Sequence, residues 1–371
     1  MSGQALTGRI DFSEEQGMML DTAVEFCAKQ SPIEAVRALL DDESGFDRSI
    51  WEEQVALGWT GIAVPEAYGG SGLGLGEVVT LLEPMGRHLL TTPLFSTTLA
   101  AQTLVAGGTE AQKSEYLPRI CEGAVAAVAV CEAEGNWDLA AIEAGAVVDG
   151  DRLSLTGSKT FVTDAAAAEF LIASVLLEGV PSLVLIDAEA IPEGALARET
   201  VIDETRRSYR LDLSGISIPA DAALASRPFD ALRNTALLLQ AAEMCGGIAG
   251  VLDVLIEYLN TRKQFGRLIG SYQALKHPTV DVLMGLEQSR SHLYHAASVV
   301  GTDEEEVAVR MAKASASDAF AFAGDRAVQF HGAFGFTYEC DAQLYLRRAI
   351  WCQYQYGDAR HQRRHLADLL L

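Results

Sequence analysis

The chain predicts an α+β fold in three consecutive parts: an N-terminal helical domain, a central β domain and a C-terminal four-helix-type bundle. Three observations carry this. Apolar residues recur at helical spacing from residue 12 to about 118. Between about 124 and 222 they gather instead into short runs punctuated by Gly and Asp. From about 228 to 368 the helical period returns in long stretches with few prolines. The boundaries fall at 1–122, 123–225 and 226–371.

Each element has a local reason. Asp11-Phe12-Ser13-Glu14-Glu15 has the N-cap character of a helix start, and Met18, Leu20, Ala23, Val24 and Phe26 follow at helical spacing. The run Pro65 to Gly74 is glycine-rich, but it lacks the lysine of a phosphate loop and no strand leads into it. It reads as a loop between helices. Val125–Val130, Arg152–Thr156, Phe170–Val175 and Ser182–Ile186 read as strands, with a tight turn at Val148-Asp149-Gly150-Asp151. Thr235 to Leu259 is a helix whose Ala236, Leu239, Ala242, Gly246 and Ala249 suit close packing.

Composition narrows the function classes. With 371 residues, 49% of them hydrophobic, the chain can build a large core. Its 28 basic and 51 acidic residues give a net charge of −23, which argues against nucleic acid and anionic membrane as partners. Cys27, Cys121, Cys131, Cys245, Cys340 and Cys352 are scattered with no C-x-x-C pair, so reduced thiols are expected and not a disulfide frame or a metal site. Met1-Ser2-Gly3-Gln4 does not open a secretory signal, and no apolar run reaches the roughly 18 residues of a membrane helix. A cytoplasmic protein is expected.

Two motifs dominate the C-terminal part. One is Arg262-Lys263-Gln264-Phe265-Gly266. The other is Gln329-Phe330-His331-Gly332-Ala333-Phe334-Gly335-Phe336, followed by Asp341, Arg347-Arg348 and Tyr356-Gly357-Asp358. Read alone, Arg262 is either a cation at the negative end of a helix or a guanidinium able to grip two diphosphate oxygens. With Trp59-Thr60-Gly61 running to Pro65, Glu83 to Gly86-Arg87, and Leu117-Pro118 with Gly123, the whole chain resembles the acyl-CoA dehydrogenase family. The resemblance implies FAD as cofactor and an acyl-CoA substrate. It also implies that Arg262, Gln264, Phe265, Gln273, Gln329 and Gly332, with Gly335, serve the FAD of a neighbouring subunit. Ala333 stands where the family usually has a second glycine.

Other family positions are altered. Where the pattern is Thr-Glu-Pro-x-x-Gly-Ser-Asp, this chain reads Cys131-Glu132-Ala133-Glu134-Gly135-Asn136-Trp137-Asp138. A thiol replaces the hydroxyl that bonds the flavin ring, and a large indole replaces the serine near the thioester. Lys159-Thr160-Phe161-Val162-Thr163-Asp164 resembles the segment that backs the flavin, so Phe161 and Thr163 are assigned to it. Phe161 also reads as ordinary β-domain core.

The base is the main deficit. The family removes the substrate α-proton with a Glu held in a dry pocket. One of its two usual positions aligns with Tyr356 and the other with Ala236, and neither residue is an acid. Glu243, Asp358 and Glu339 are nearby carboxylates. Glu243 lies two turns beyond Ala236, roughly 10 Å along the helix, and a carboxylate in so apolar a stretch needs a partner. His331 and His277 belong to no metal-spaced cluster.

The resemblance therefore points to a supporting chain that completes the FAD site of a homologous catalytic subunit. It is similar to the actinobacterial heterotetramers, two chains of each kind, that act on steroid side-chain acyl-CoAs and form the 2,3-enoyl-CoA. An electron-transfer flavoprotein is the expected acceptor. Two alternatives stay open: a self-sufficient homotetramer with a relocated base at Glu243 or Asp358, and a non-enzymatic scaffold that has lost flavin.

Overall fold

A computed structural model describes residues 13–133, 135–139 and 141–371. Asp11 and Phe12, expected at the first helix start, and Glu134 lie outside the described residues. The helices of the first part are α1 (Glu14–Gln30), α2 (Ile33–Ala38), α3 (Arg48–Ala56), α4 (Leu75–Arg87), α5 (Leu94–Gly107) and α6 (Glu110–Cys121). The strands are β1 (Ala126–Ala129), β2 (Gly145–Asp149), β3 (Arg152–Thr156), β4 (Ser158–Thr163), β5 (Phe170–Leu177), β6 (Val180–Asp187), β7 (Leu196–Glu199), β8 (Ser208–Asp212) and β9 (Ser217–Pro219). The last part holds α7 (Phe229–Thr261), the two-residue strands β10 (Lys263–Gln264) and β11 (Arg267–Leu268), α8 (Gln273–Ser298), α9 (Glu305–Phe330), α10 (Ala342–Tyr354) and α11 (Ala359–Leu370).

The described residues pack as two compact units that do not follow chain order. One contains 34–74 and 91–236. Its main sheet runs β1-β5-β2-β3-β9, with β6 added along β5. β1 and β2 pair with β5 in parallel and the other pairs are antiparallel. The first six residues of β5 are all buried, as a central strand requires. A second sheet, β4-β8-β7, carries a register shift between Lys159 and Val162. The Pro65–Gly74 run is a loop with one short 3-10 turn, and a Cβ at Gly70 would overlap the Val64 carbonyl.

The other unit contains α1, α4 and residues 237–371. Ser13 and Gln16 form a reciprocal capping box at the start of α1. That helix buries Ala23 and Cys27, while Met18 and Val24 face solvent, so its apolar stripe is narrower than the spacing predicted. Where α4 crosses α7, a Cβ at Gly86 would overlap the Glu243 carbonyl and one at Gly246 the Glu83 carbonyl. The helices meet backbone to backbone. The expectation that no stretch is apolar enough to span a membrane needs correction by composition. α7 holds an 18-residue window of mean hydropathy 1.5. However, 78% of that window is buried within the fold, as in a core helix. Small residues interleaved with a few charges hide this window from a search for unbroken apolar runs.

Candidate functional site

The helix-to-hairpin junction after Thr261 builds the first wall. Lys263 pairs with Leu268 and Gln264 with Arg267, leaving Phe265-Gly266 as a two-residue turn. Both turn residues have positive φ, 51° and 80°, the sign pattern of a type I′ turn. Glycine adopts this freely and phenylalanine does not. The Phe265 ring is 91% exposed, so burial does not offset its strained backbone. Tyr272 steadies the hairpin: its hydroxyl donates to the Gln264 carbonyl at 3.1 Å, and the Arg267 guanidinium lies 5.0 Å over its ring. Strain and exposure concentrated on one aromatic tip mark it as a contact residue.

The second wall is the end of α9. His331 caps the helix, stacks on Tyr258 at 4.0 Å between centroids, and points Nδ1 at the Ala327 carbonyl, 2.7 Å away. A carbonyl only accepts, so Nδ1 carries the proton. Gly332 has φ 64° with open space around it, which leaves its backbone accessible. Gly335 differs from expectation. A Cβ there would overlap the Val328 carbonyl, so this glycine serves the chain's own packing.

Between the walls lies a cavity of about 910 Å³. Arg262, Gln264, Phe265, Gly332 and Ala333 all line it. Gln273 and Gln329 are not on its wall, although their neighbours Ala274 and Phe330 are. Tyr258, Tyr272 and His331 line it too and were not singled out as cofactor contacts from sequence. Tyr258 could have been found, because it lies one helical turn before Arg262 on the same face. The charge here inverts that of the chain. Residues 258–280 contain Arg262, Lys263, Arg267 and Lys276 and no Asp or Glu. None of these four forms an ion pair among the described residues, and all four are exposed. Room, unpaired cations and accessible glycine backbone fit the diphosphate half of a dinucleotide.

The other unit carries the residues expected against a flavin ring, and they fit less well. Cys131 is buried, its Sγ lies 3.6 Å from the Asn136 carbonyl and 3.7 Å from that of Glu132, and burial pushes its thiol up to about 12. The weak S–H donor is thus directed into its own loop. Glu132 binds Lys159 at 2.6 Å and accepts the N–H groups of Glu143 and Ala144 at 2.8 and 3.0 Å. Burial opposes its charge, yet these partners hold the carboxyl below its ordinary range. Phe161 sits at the β4 irregularity with φ 53°. The Glu199 carboxylate fixes it by accepting the Phe161 N–H at 3.0 Å, the Ser208 hydroxyl at 2.8 Å and the Thr160 hydroxyl. Thr163 ends the same strand, half-buried, and Trp137 is half-buried in the 131–139 loop.

The candidate carboxylates have other work. Glu243 is buried, with Arg348 Nη1 at 2.6 Å and Gln240 Nε2 at 3.2 Å. Asp358 caps α11, accepting the His361 N–H at 2.8 Å. Glu339 is exposed. Ala236 is fully buried, and Tyr356 is half-buried with φ 57°. Among the described residues, no carboxylate stands at either usual base position.

Comparison with known proteins agrees with this architecture. The pattern of the acyl-CoA dehydrogenase N-terminal domain matches residues 13–124, and that of the acyl-CoA dehydrogenase C-terminal domain matches residues 232–371. Acyl-CoA dehydrogenase IpdE2 of Mycolicibacterium smegmatis is 31% identical, over 95% of this chain and 98% of its own. The solved structure of the Tcur3481-Tcur3483 steroid ACAD, in a variant form, superposes with a TM-score of 0.87 at 29% identity, covering 96% of this chain and 98% of that one. The ChsE4-ChsE5 complex of Mycobacterium tuberculosis shares the fold, with a TM-score of 0.88 at 24% identity, 97% of this chain and 98% of the other. The chain belongs to the acyl-CoA dehydrogenase family of oxidoreductases.

Proposed function

We propose that this chain is the supporting subunit of a heteromeric, FAD-dependent acyl-CoA dehydrogenase. It completes the cofactor site of a homologous catalytic subunit in a heterotetramer with two chains of each kind. The single observation behind this is asymmetry. The cavity lined by Arg262, Gln264, Phe265 and Gly332 is well formed and cationic, whereas the flavin-ring donor and the base on the same chain are gone.

In the complex, bound FAD supplies the hydride-accepting chemistry of the family. This chain contributes binding and orientation. Arg262 is the residue for the diphosphate, since its planar guanidinium can meet two oxygens at once. Lys263, Arg267 and Lys276 raise the local positive potential that draws an anion to an otherwise acidic protein. Phe265, held outward on its turn, presents an aromatic face to the partner's side of the site. The α-proton is taken by a carboxylate of the catalytic partner, because Glu243 and Asp358 are engaged as an ion pair and a helix cap. Those engagements also weigh against a self-sufficient enzyme with a relocated base.

The names of the relatives support a substrate class. IpdE2 is named an acyl-CoA dehydrogenase, and the Tcur3481-Tcur3483 protein is named a steroid ACAD. We infer a bulky, steroid-derived acyl-CoA, oxidised to the 2,3-enoyl-CoA, with an electron-transfer flavoprotein as acceptor. A cytoplasmic setting accords with six free cysteines. The test is Arg262→Ala in the co-expressed complex. The assembled enzyme should keep both chains and lose its flavin absorbance. Full flavin retention would contradict the proposal.

A further inference from the structure

His331 leaves one polar atom unused in the cavity wall. The residue is only 7% exposed, so each ring nitrogen needs a partner or costs free energy. Nδ1 meets the Ala327 carbonyl at 2.7 Å. The same carbonyl accepts the His331 backbone N–H at 3.2 Å, so the ring is anchored to its own helix. One ring face lies on Tyr258, 4.0 Å between centroids and 24° from parallel. Nε2, on the far edge from Nδ1, has no hydrogen-bond partner among the described residues. It is not one of the side-chain atoms sealed away without a partner, so it opens onto the cavity that the ring lines.

The anchor decides what Nε2 offers. With the proton on Nδ1, the neutral ring carries a lone pair at Nε2, which accepts and cannot donate. An ionised phosphate oxygen also only accepts, so the two do not pair. The cation stands close by. Arg262 follows Tyr258 by four residues, and its backbone N–H still bonds to the Tyr258 carbonyl at 2.9 Å. The ring stacked on Tyr258 is therefore about one helical turn from Arg262, with roughly 6 Å between the two positions on α7. Arg262 is the one charged side chain on the cavity wall among the described residues, with Lys263, Arg267 and Lys276 around it. No carboxylate lines the wall to compete for the ligand. An acceptor and a cation at this spacing match a ligand whose phosphate is one ester link from a hydroxyl-bearing sugar.

We propose that His331 sets the ligand's register: Nε2 accepts a hydrogen bond from a sugar hydroxyl beside the diphosphate, while Arg262 holds the diphosphate. The inference rests on the cofactor reading above. The hydroxyl belongs to the ribose of the adenosine half or to the ribityl chain of the flavin half, which present the same donor. A site built to bond a hydroxyl rejects the analogue that lacks it, because its own acceptor is then left unmet.

The test is ligand affinity of the co-expressed complex after removal of its flavin, at pH 8, above the ordinary imidazole range. ADP is compared with 2′,3′-dideoxy-ADP, and FAD with its 4′-deoxyribityl analogue. In the wild type one pair should differ by about two- to tenfold in favour of the hydroxylated ligand, and the pair that differs identifies the sugar. His331→Phe keeps a ring on Tyr258 but has no Nε2, and should bring that pair to equal affinity. A histidine that only packs would leave the ratio within each pair unchanged. Equal affinities within both pairs in the wild type would overturn the proposal whether or not the variant folds. So would a preference that persists in folded His331→Phe. Flavin retained in Arg262→Ala overturns the cofactor reading and this inference with it. Indifference to the hydroxyls, in a complex that does lose flavin in Arg262→Ala, overturns the role of His331 alone.

Discussion

Glu243 shows how a single residue separates the two enzymatic readings. If it is a relocated base, Glu243→Gln abolishes turnover and leaves the fold intact. If it is the partner of buried Arg348, the same change strands a guanidinium in the core, at a cost of about 3–5 kcal/mol. We expect the second result: a large fall in the urea midpoint, with turnover per folded complex unchanged. Asp164 gives a pH-dependent case. It is fully buried, its Oδ2 accepts from Ser96 Oγ at 2.6 Å, and burial raises its carboxyl above the ordinary value, against the pull of Arg206 and Arg207. A raised carboxyl contributes stability at low pH that is lost as pH rises from the ordinary carboxylate range through the folded value. Asp164→Asn cannot ionise. It should therefore be more stable than wild type at pH 8 and converge with it in acid. Thermal melts across pH read this directly, and equal melting points at pH 8 would refute it.

At the scale of elements, the hairpin after α7 repays attention because its sequence hides it. Two-residue strands have no alternation to read, so Lys263–Leu268 looks like a helix end and a glycine turn. Phe265-Gly266 lacks the usual Asn-Gly or Asp-Gly signature of a type I′ turn, since the phenylalanine is retained against its backbone preference. Asparagine tolerates that conformation. Phe265→Asn should then stabilise the isolated hairpin by up to about 1–2 kcal/mol, while the complex releases flavin more readily. A variant that gains neither stability nor flavin loss would show that the tip has no role in the site. Elsewhere the element types were legible. Helix gives way to strand after Cys121, and strand to helix before Phe229, where periodicity changes from helical to short apolar runs and back. The family resemblance pointed to Arg262, Gln264, Phe265, Gly332 and Ala333, and all five line the cavity. It could not show that Gly335 is packed on Val328, or that Gln273 and Gln329 stop short of the wall, because those outcomes depend on how α8 and α9 end.

For the whole molecule, the proposal is that the chain is incomplete without a partner. A chain of net charge −23 keeps residues 258–280 free of acids, and part of that segment lines one wall of an open cavity. The compact units also cut across the sequence, with α1 and α4 joining the C-terminal bundle, which no periodicity argument could reveal. Flavin content, compared between the chain purified alone and co-purified with its catalytic partner, tests the central claim most directly. The account predicts little FAD on the lone chain, and in the assembly a bound flavin that Arg262→Ala removes. A lone chain that carries one FAD per polypeptide and oxidises acyl-CoA at the full rate would contradict it.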